Sequence, residues 1–393
     1  MPHHHARHAK TLIKKALSYS PCVGIMGMRQ VGKSTLLQEF SRTYYTFDDD
    51  RFLVRFEREG HGLIETATSP LGLDEIQKYP PVFDALKLSI DRLKKPGRFL
   101  VSGSVRFGSR RQIHESLTGR IVLVELLPFT LSECHQRPAS SCLDMLETLQ
   151  GDRLVQALSG RAWTSEKQTL QYLQTGGLPG ICFRREEAVR QDFWAAHLET
   201  LFARDIRLVK KTSLSVNRLV SMLAEVAAQQ GLSVNVSQLA RLANISVPTA
   251  GTILAAMEAL FLIRPYGPTW FLEDAGLSHH LRPVPARPSR QDRIRLAYLE
   301  LRSQIGYQRR FQASLAPYQT RGGIDIPFLV QFKSGRKVAI AVEEEDTPSN
   351  KSLKSLTWAQ KRFPGLKTLI LLNAPKAFET STGIPCLPWT WIF

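Results

Sequence analysis

Gly27-Met28-Arg29-Gln30-Val31-Gly32-Lys33-Ser34 reads G-x-x-x-x-G-K-S, and the rest of the chain is organised around it. Such a loop needs two glycines because the backbone must curl until successive N–H groups point inward, towards phosphate oxygens. Lys33 adds a mobile positive charge for the outer phosphates, and Ser34 offers a hydroxyl to Mg2+. The flanks agree. Cys22-Val23-Gly24-Ile25-Met26 is short and apolar enough for a buried strand. Thr35-Leu36-Leu37-Gln38-Glu39-Phe40 continues as a helix whose N-terminus faces the phosphates. A strand before and a helix after separate a nucleotide-binding P-loop from a chance match in a glycine-bearing turn. The candidate nucleotide-binding residues are therefore Gly27, Met28, Arg29, Gln30, Val31, Gly32, Lys33, Ser34 and Thr35, with ATP and Mg2+ as expected ligands.

Downstream, apolar strand-like runs alternate with amphipathic helices, the pattern of a parallel sheet with crossover helices. Tyr44-Tyr45-Thr46-Phe47 predicts a strand running into Asp48, Asp49 and Asp50. Leu71-Gly72-Leu73, begun by Pro70, predicts another that ends in Asp74-Glu75. Metal-assisted phosphate hydrolysis needs two such acids. Asp74 is the candidate to hold Mg2+ through water, and Glu75 the candidate to orient and deprotonate the attacking water. An Asp-Glu pair is common, so its combination with the P-loop carries the inference. Residues 82–94 have helical spacing, and Arg98-Phe99-Leu100-Val101 is a strand ending in Ser102-Gly103-Ser104. Hydroxyls just past a central strand sit where a γ-phosphate is sensed, which makes Ser104 a candidate catalytic residue. Ordinary turn chemistry accounts for the same residues. A helix over 110–117 then ends at Thr118-Gly119-Arg120, before the strand Ile121-Val122-Leu123-Val124.

The P-loop, Leu73-Asp74-Glu75-Ile76-Gln77, Val101-Ser102-Gly103-Ser104 and Ser116-Leu117-Thr118-Gly119-Arg120 come in a fixed order. In that order the chain resembles the bacterial and archaeal AAA+-type ATPases that carry a C-terminal domain of unknown function. The resemblance runs over nearly the whole length. It implies a core whose 102–104 strand is inserted between the P-loop strand and the Asp74-Glu75 strand. It also implies that Arg120 is an arginine finger reaching a neighbour's nucleotide, since a guanidinium neutralises charge spreading over the γ-phosphate. Arg110 and Arg111 compete for that role, and Arg120 reads equally as a charge at a helix C-terminus.

Pro128-Phe129 and the Gly/Ser/Pro-bearing stretch 136–142 loosen the chain, so the core is expected to span 1–135. A helical linker or lid follows over 136–212, with the turn cluster Thr175-Gly176-Gly177-Leu178-Pro179-Gly180 and one long helix over 187–210. Residues 213–282 resemble a winged helix. Leu219, Leu223 and Val226 face inward from its first helix, Ser237 is the expected cap of a second over 238–243, and Ser246 of a third over 247–260. The third buries Val247, Ala250, Ile253, Leu254 and Met257, and Ile263 and Trp270-Phe271-Leu272 supply wing strands. Its outward residues Thr249, Gly251, Thr252, Ala255, Ala256 and Glu258 include no Arg, Lys, Asn or Gln, the side chains that read base edges. A lid or assembly module fits better than a sequence reader.

Residues 283–393 open with a stiff connector (Pro283, Pro285, Pro288) and a helix over 291–301. Two strands then surround Asp325 and Val338 through Glu343. In relatives this hairpin resembles a restriction-endonuclease core, with two acids on the first strand and Glu-x-Lys on the second. Here Asp325 keeps one acid, but Pro327, Ala341 and Glu343 stand at the other acid, acid and lysine positions. The expectation is a nuclease-like scaffold without activity. Asp325, Glu343 and Glu344 are the only acids from which a rearranged site could be built, and the acidic run 343–346 reads otherwise as a solvated strand end or a grip on basic surface.

The fold class is thus α/β: a P-loop AAA+-type core with a parallel sheet, a helical and winged-helix part, and a C-terminal α/β nuclease-like domain. The 393 residues carry a net charge of +17, which asks for an acidic partner. The densest basic segment runs from Arg282 through Arg287, Arg290, Arg293, Arg295, Arg302, Arg309 and Arg310 to Arg321, opposed locally only by Asp292 and Glu300. Nucleic acid held through its phosphate backbone is one partner this invites; plain solvated surface is the other reading. Five scattered cysteines without a C-x-x-C pair read as reduced thiols. With no run of eighteen apolar residues and no secretory leader, the expectation is a cytoplasmic protein without membrane contact. His3, His4, His5 and His8 read as a frayed, solvated terminus. Two functions follow from this sequence. The first is an oligomeric, Mg2+-dependent ATPase, with a homo-oligomeric ring as its natural assembly, that couples nucleotide state to domain rearrangement on DNA. The second is a nucleotide-dependent regulatory switch acting on a protein partner.

Overall fold

The computed structural model describes residues 5–106, 117–140, 142–149, 151–159, 164–308 and 312–392. The helix expected over 110–117, with Arg110 and Arg111, lies outside the described residues except for its last position, as do Arg309 and Arg310.

The first sheet holds β1 (Cys22–Met26), β2 (Thr43–Thr46), β3 (Leu71–Asp74), β4 (Phe99–Gly103) and β5 (Ile121–Glu125) in the order β2-β3-β4-β1-β5, all parallel. β4 lies between β1 and β3, as the resemblance implied. β1, β3 and β4 are buried at every position, which explains why they read as continuous apolar runs rather than alternating ones. The parallel register aligns Met26 with Gly103. The segments that follow β1, β3 and β4 therefore leave the sheet at one edge, and these are the segments that carry Gly27, Glu75 and Ser104. Helices α1 (Ala9–Leu17), α2 (Lys33–Phe40), α3 (Asp50–Thr66) and α4 (Val82–Leu93) belong to this layer. No helix of the described residues is long and apolar enough to cross a membrane.

The N-terminus departs from the frayed terminus expected. Arg7 is buried. It donates from Nη1 to Val31 O of the P-loop at 3.1 Å and from Nη2 to Leu127 O, pairs with Glu133 at 3.3 Å, and lies 4.3 Å from the centre of the Phe129 ring. His5 stacks on Phe183 at 4.3 Å, and His8 takes Glu133 through its backbone N–H. An apolar helix face carrying Ala9, Leu12, Ile13 and Ala16 then seats the arm on the core.

Between the sheets, helices alternate up to a two-stranded hairpin of β6 (Ile263–Tyr266) and β7 (Thr269–Leu272). The long helix expected over 187–210 is interrupted: Glu187–Thr200 passes into a π turn at Leu201–Asp205 and resumes over Ile206–Val209. Three helices follow, Val216–Ala228, Val236–Ala243 and Val247–Ala259. The second is capped by Asn235, whose side chain accepts from Gln238 N, and not by Ser237, which lies inside it. Ser246 caps the third as expected. In that helix Val247 is exposed and Ala256 buried, the reverse of the periodicity reading, because the N-terminal turn projects beyond its packing partners.

The second sheet has the order β12-β13-β11-β10-β9-β8, from β8 (Ser314–Gln319), β9 (Asp325–Gln331), β10 (Lys337–Val342), β11 (Lys367–Leu372), β12 (Phe378–Glu379) and β13 (Pro385–Pro388). β8, β9 and β10 form an antiparallel meander, and the helix Asn350–Arg362 crosses over to β11, parallel to β10. Pro327 sits inside the sheet, opposite the irregularity between Ala316 and Tyr318, so its missing N–H breaks no ladder bond.

The basic segment over 282–321 is mostly structural, which corrects the surface reading. Its helix extends over Arg290–Gln308, longer than the 291–301 expected. Arg293 and Arg295 are buried, the first 4.8 Å from the centre of the Trp389 ring. Arg302 reaches Glu125 at 2.7 Å and also Glu273; Arg264 joins both acids, and Arg106 approaches them at 3.3 and 3.5 Å. Burial pushes the Glu125 carboxyl up, but Arg302, Arg106 and Arg264 outweigh it and hold the group at about 2. This network ties the end of β5, the hairpin and the long helix together.

Candidate nucleotide site

The P-loop begins at Gly27 directly after β1. A Cβ there would stand 2.2 Å from Leu126 O, so the first glycine is required by the close passage of the chain after β5. Gly32 caps α2 with φ +100°, a left-handed conformation that glycine adopts without steric cost. The two glycines of the motif thus answer two different constraints. Lys33 is buried and donates from Nζ to Gly27 O at 3.1 Å and Met28 O at 2.9 Å. Burial lowers its pKa, while Glu75 and Asp74 oppose that shift.

One cavity of about 930 Å³ opens above the sheet edge. Arg29, Gln30, Gly32, Lys33, Ser34 and Thr35 line it, together with Glu75, Gln77 and Ser104. The sequence-predicted loop, base and hydroxyl therefore meet at one place. Gly27, Met28 and Val31 are behind the lining; Met28 and Val31 are buried beneath the loop.

Asp74 is 2% exposed and sits deeper than Glu75, outside the lining. It accepts from Tyr44 Oη at 2.7 Å, from Ser102 Oγ and from Glu75 N at 3.1 Å. All three donors are neutral, so the carboxylate keeps its negative charge uncompensated by any cation it touches. That donor set fits an acid acting on a divalent ion through water, with Ser34 as the nearer ligand. Glu75 has φ +52°, a strained conformation for a residue with a side chain, and it turns the carboxylate out of the strand. Its Oε2 accepts from Gln77 Nε2 and from Ser104 Oγ at 3.1 Å, and Gln77 Nε2 also donates to Ser104 Oγ at 3.1 Å. Gln77 is the residue that sequence reading quoted without a role. Its signal lay two places after Glu75, at the closing position of the short 3-10 turn Ile76–Lys78.

A second shell was missed because its partners are distant in sequence. P-loop Arg29 pairs with Asp205 at 3.0 Å, and Gln30 meets His197 Nδ1 at 3.2 Å. Burial, then the Arg29 charge, lowers the His197 pKa to about 4, so the ring is neutral and donates from Nδ1 to the Gln30 carbonyl. Gly177 lies so close to Phe129 that a Cβ would stand 2.0 Å from its carbonyl oxygen, which is why the turn after residue 175 carries paired glycines.

Arg120 is elsewhere. Cys22 pairs with Ile121 across β1 and β5, so Arg120 precedes the strand start while the P-loop follows the strand end. Five residues of strand separate them, roughly 16 Å at about 3.3 Å per residue. Arg120 instead grips Asp91 of α4 through Nε at 2.6 Å and Nη2 at 3.0 Å, and that hydrogen bond holds the Asp91 carboxyl below its usual range.

The C-terminal acids sit in a different environment. Asp325 pairs with Lys351 at 3.2 Å and with Arg290 at 3.7 Å, and accepts from Gln319. Ala341 is buried, Glu343 accepts from Ser349, and Glu344 accepts from Arg290 N at 3.0 Å. Among the described residues no cluster of three metal-ligating side chains occurs.

A strand–loop–helix P-loop with a strand-end Asp-Glu pair on a parallel sheet defines a P-loop nucleotide-binding domain, of the ATPase class. Comparison agrees: residues 19–135 match the family model of an AAA domain, and residues 166–270 match that of a domain of unknown function. Uncharacterized proteins of Mycobacterium tuberculosis and Mycobacterium bovis are each 26% identical over 414 residues, covering 96% of this chain and 85% of the relative. A Walker-type ATPase of Pyrococcus abyssi overlays with a TM-score of 0.38 at 16% identity, covering 70% of this chain and 94% of that one.

Proposed function

We propose that the chain is a Mg2+-dependent ATPase whose nucleotide state is coupled to the helical region over 136–282. The observation that carries this reading is the single cavity where Lys33, Ser34, Glu75 and Ser104 meet. Lys33 leaves its own loop carbonyls for the outer phosphates, and the curled backbone around Gly32 supplies N–H donors. Ser34 directly, and Asp74 through water, hold the Mg2+ ion, which supplies charge neutralisation on the phosphates. Glu75 accepts the proton of the attacking water, and Ser104 stands beside it to position that water. Arg120, too far to serve its own site, acts on a second copy once it leaves Asp91, which makes the working form a homo-oligomer.

The three-helix unit with its hairpin is read as a winged helix serving assembly or lid movement. The C-terminal sheet is read as a nuclease-like scaffold that cuts nothing, because Asp325 is already neutralised by two cations. Nucleic acid would be held through phosphate contacts, with a smaller basic face than the net charge suggests. One observation favours the alternative, a regulatory switch acting on a protein partner: Glu75 is held by both Gln77 and Ser104 and must be released before it can act. ATP turnover and oligomeric state measured with and without duplex or branched DNA test the choice. Strong stimulation supports the DNA-coupled ATPase, and slow turnover that DNA leaves unchanged supports the switch.

A further inference from the structure

The π turn Leu201–Asp205 interrupts an otherwise regular helix beside the P-loop, and such turns concentrate where a side chain must be re-aimed. Two of its consecutive residues face the site. Asp205 is buried and divides its carboxylate between two guanidinium groups, Arg29 of the P-loop on Oδ2 at 3.0 Å and Arg204 on Oδ1 at 2.8 Å. Arg204 lines the same cavity as Lys33, Ser34 and Glu75, and its side chain is 54% exposed. Among the described residues its Nε bond to Asp205 is the one hydrogen bond that holds it, which leaves the two Nη groups for a ligand.

We propose that Arg204 contacts the terminal phosphate of the nucleotide bound in its own chain, and that Asp205 positions it there. The inference rests on the reading that this cavity takes ATP. Electrostatics gives the direction. Arg29, Arg204 and Lys33 bring three positive charges to the cavity, and Asp205 cancels one of them. The remaining charge suits the additional anionic oxygens that distinguish a triphosphate from a diphosphate. A surface ion pair that merely steadied Asp205 would influence stability and would not tell the two nucleotides apart.

The position also provides a route outwards. The π turn packs on the helix Val216–Ala228, and the following Ile206–Val209 segment packs on Val247–Ala259. A guanidinium that engages or releases the terminal phosphate therefore acts at the joint between the P-loop and the three-helix unit. This role is distinct from that assigned to Arg120. Arg204 serves its own chain's site and Arg120 a neighbour's.

The test is equilibrium binding of Mg2+-ADP and of a non-hydrolysable Mg2+-ATP analogue to the full chain and to Arg204→Ala, Arg204→Lys and Asp205→Asn. Arg204→Ala should weaken the triphosphate about tenfold, the loss of one charge-assisted contact, and leave ADP within about twofold. Arg204→Lys should recover part of the loss, and Asp205→Asn should show the same selective loss to a smaller degree. An unchanged triphosphate-to-diphosphate ratio in Arg204→Ala, or an equal loss of both nucleotides, overturns the proposal while the ATP reading stands. A native chain that binds neither nucleotide overturns the ATP reading and this inference together.

Discussion

Two places in this chain set acids at the end of a strand, and their surroundings make them opposites. After β3, Asp74 and Glu75 are met by hydroxyls, an amide and a backbone N–H, and Glu75 opens on a cavity. At the start of β9, Asp325 is met by Lys351 and Arg290. A carboxylate held by neutral donors retains its charge for a cation or a proton. One already paired with two cations has spent that capacity. Residue type alone does not distinguish the two sites; the charge of what touches them does.

The largest expected effect tests the core side of this contrast. Lys33→Ala should abolish nucleotide binding measured by calorimetry, because no other cation lies within the curl of the loop. Glu75→Gln should bind ATP normally and lose about 10²–10⁴ in turnover, the range typical of a removed general base. Near-native turnover in Glu75→Gln would show that the acid is no more catalytic than Asp325, and the contrast would collapse.

Arg120 comes next, with an expected loss of about 10³-fold or more if it serves as a finger. Mixing Arg120→Ala with Glu75→Gln should restore part of the activity, since some interfaces then combine one intact residue from each chain. Full turnover by Arg120→Ala alone, or by a strict monomer, rejects the trans role and leaves the Asp91 pair as a surface contact.

How much of this was legible in the sequence follows from the range of each interaction. The P-loop, the Asp74-Glu75 strand end and Ser104 are local patterns, and the structure brings them to one cavity. The partners of Arg29 and Gln30 lie well over a hundred residues on, where no window on the sequence links them. Charge misled for the same reason. Within residues 282–321 only Asp292 and Glu300 oppose the arginines, yet Glu125 meets Arg302 across 177 positions, so apparent surface charge was internal. Arg7 and His8 were read as solvated because their acid, Glu133, comes far later in the chain.

Glu300 supplies a test of intermediate size at the junction between the two regions. It is buried and accepts from Leu131 N at 2.7 Å. Burial raises its pKa from 4.5 to about 8, the Leu131 bond opposes that rise, and Glu133 adds to it. Below pH 4.5 the group is protonated whether the chain is folded or not. Between pH 4.5 and 8 the unfolded chain loses the proton that the folded chain keeps, so this group makes stability fall as pH rises. Above pH 8 the cost is constant. Glu300→Gln keeps an acceptor for Leu131 without the titration. Its melting temperature should match the native chain near pH 5 and exceed it by several degrees at pH 8. Parallel melting curves across that range would show that Glu300 does not titrate within it.

The smallest effect is expected at Asp325, and its smallness is the point. Lys351 is largely exposed, so its pair with Asp325 is screened by water, and Arg290 keeps its bond to Val342 O when the acid is removed. Asp325→Ala should therefore cost no more than about 1 kcal/mol of stability. It should also leave ATP turnover untouched, because no part of it reaches the nucleotide cavity. Incubation of the native chain with supercoiled and branched DNA in Mg2+ and in Mn2+ should give no cleavage. A carboxylate engaged by two cations would have to exchange both for a divalent ion, with Ala341 offering no ligand beside it. Metal-dependent cutting that disappears in Asp325→Ala would mean that Lys351 and Arg290 withdraw when DNA arrives. In that case the two strand-end sites differ in their resting partners and not in their chemistry.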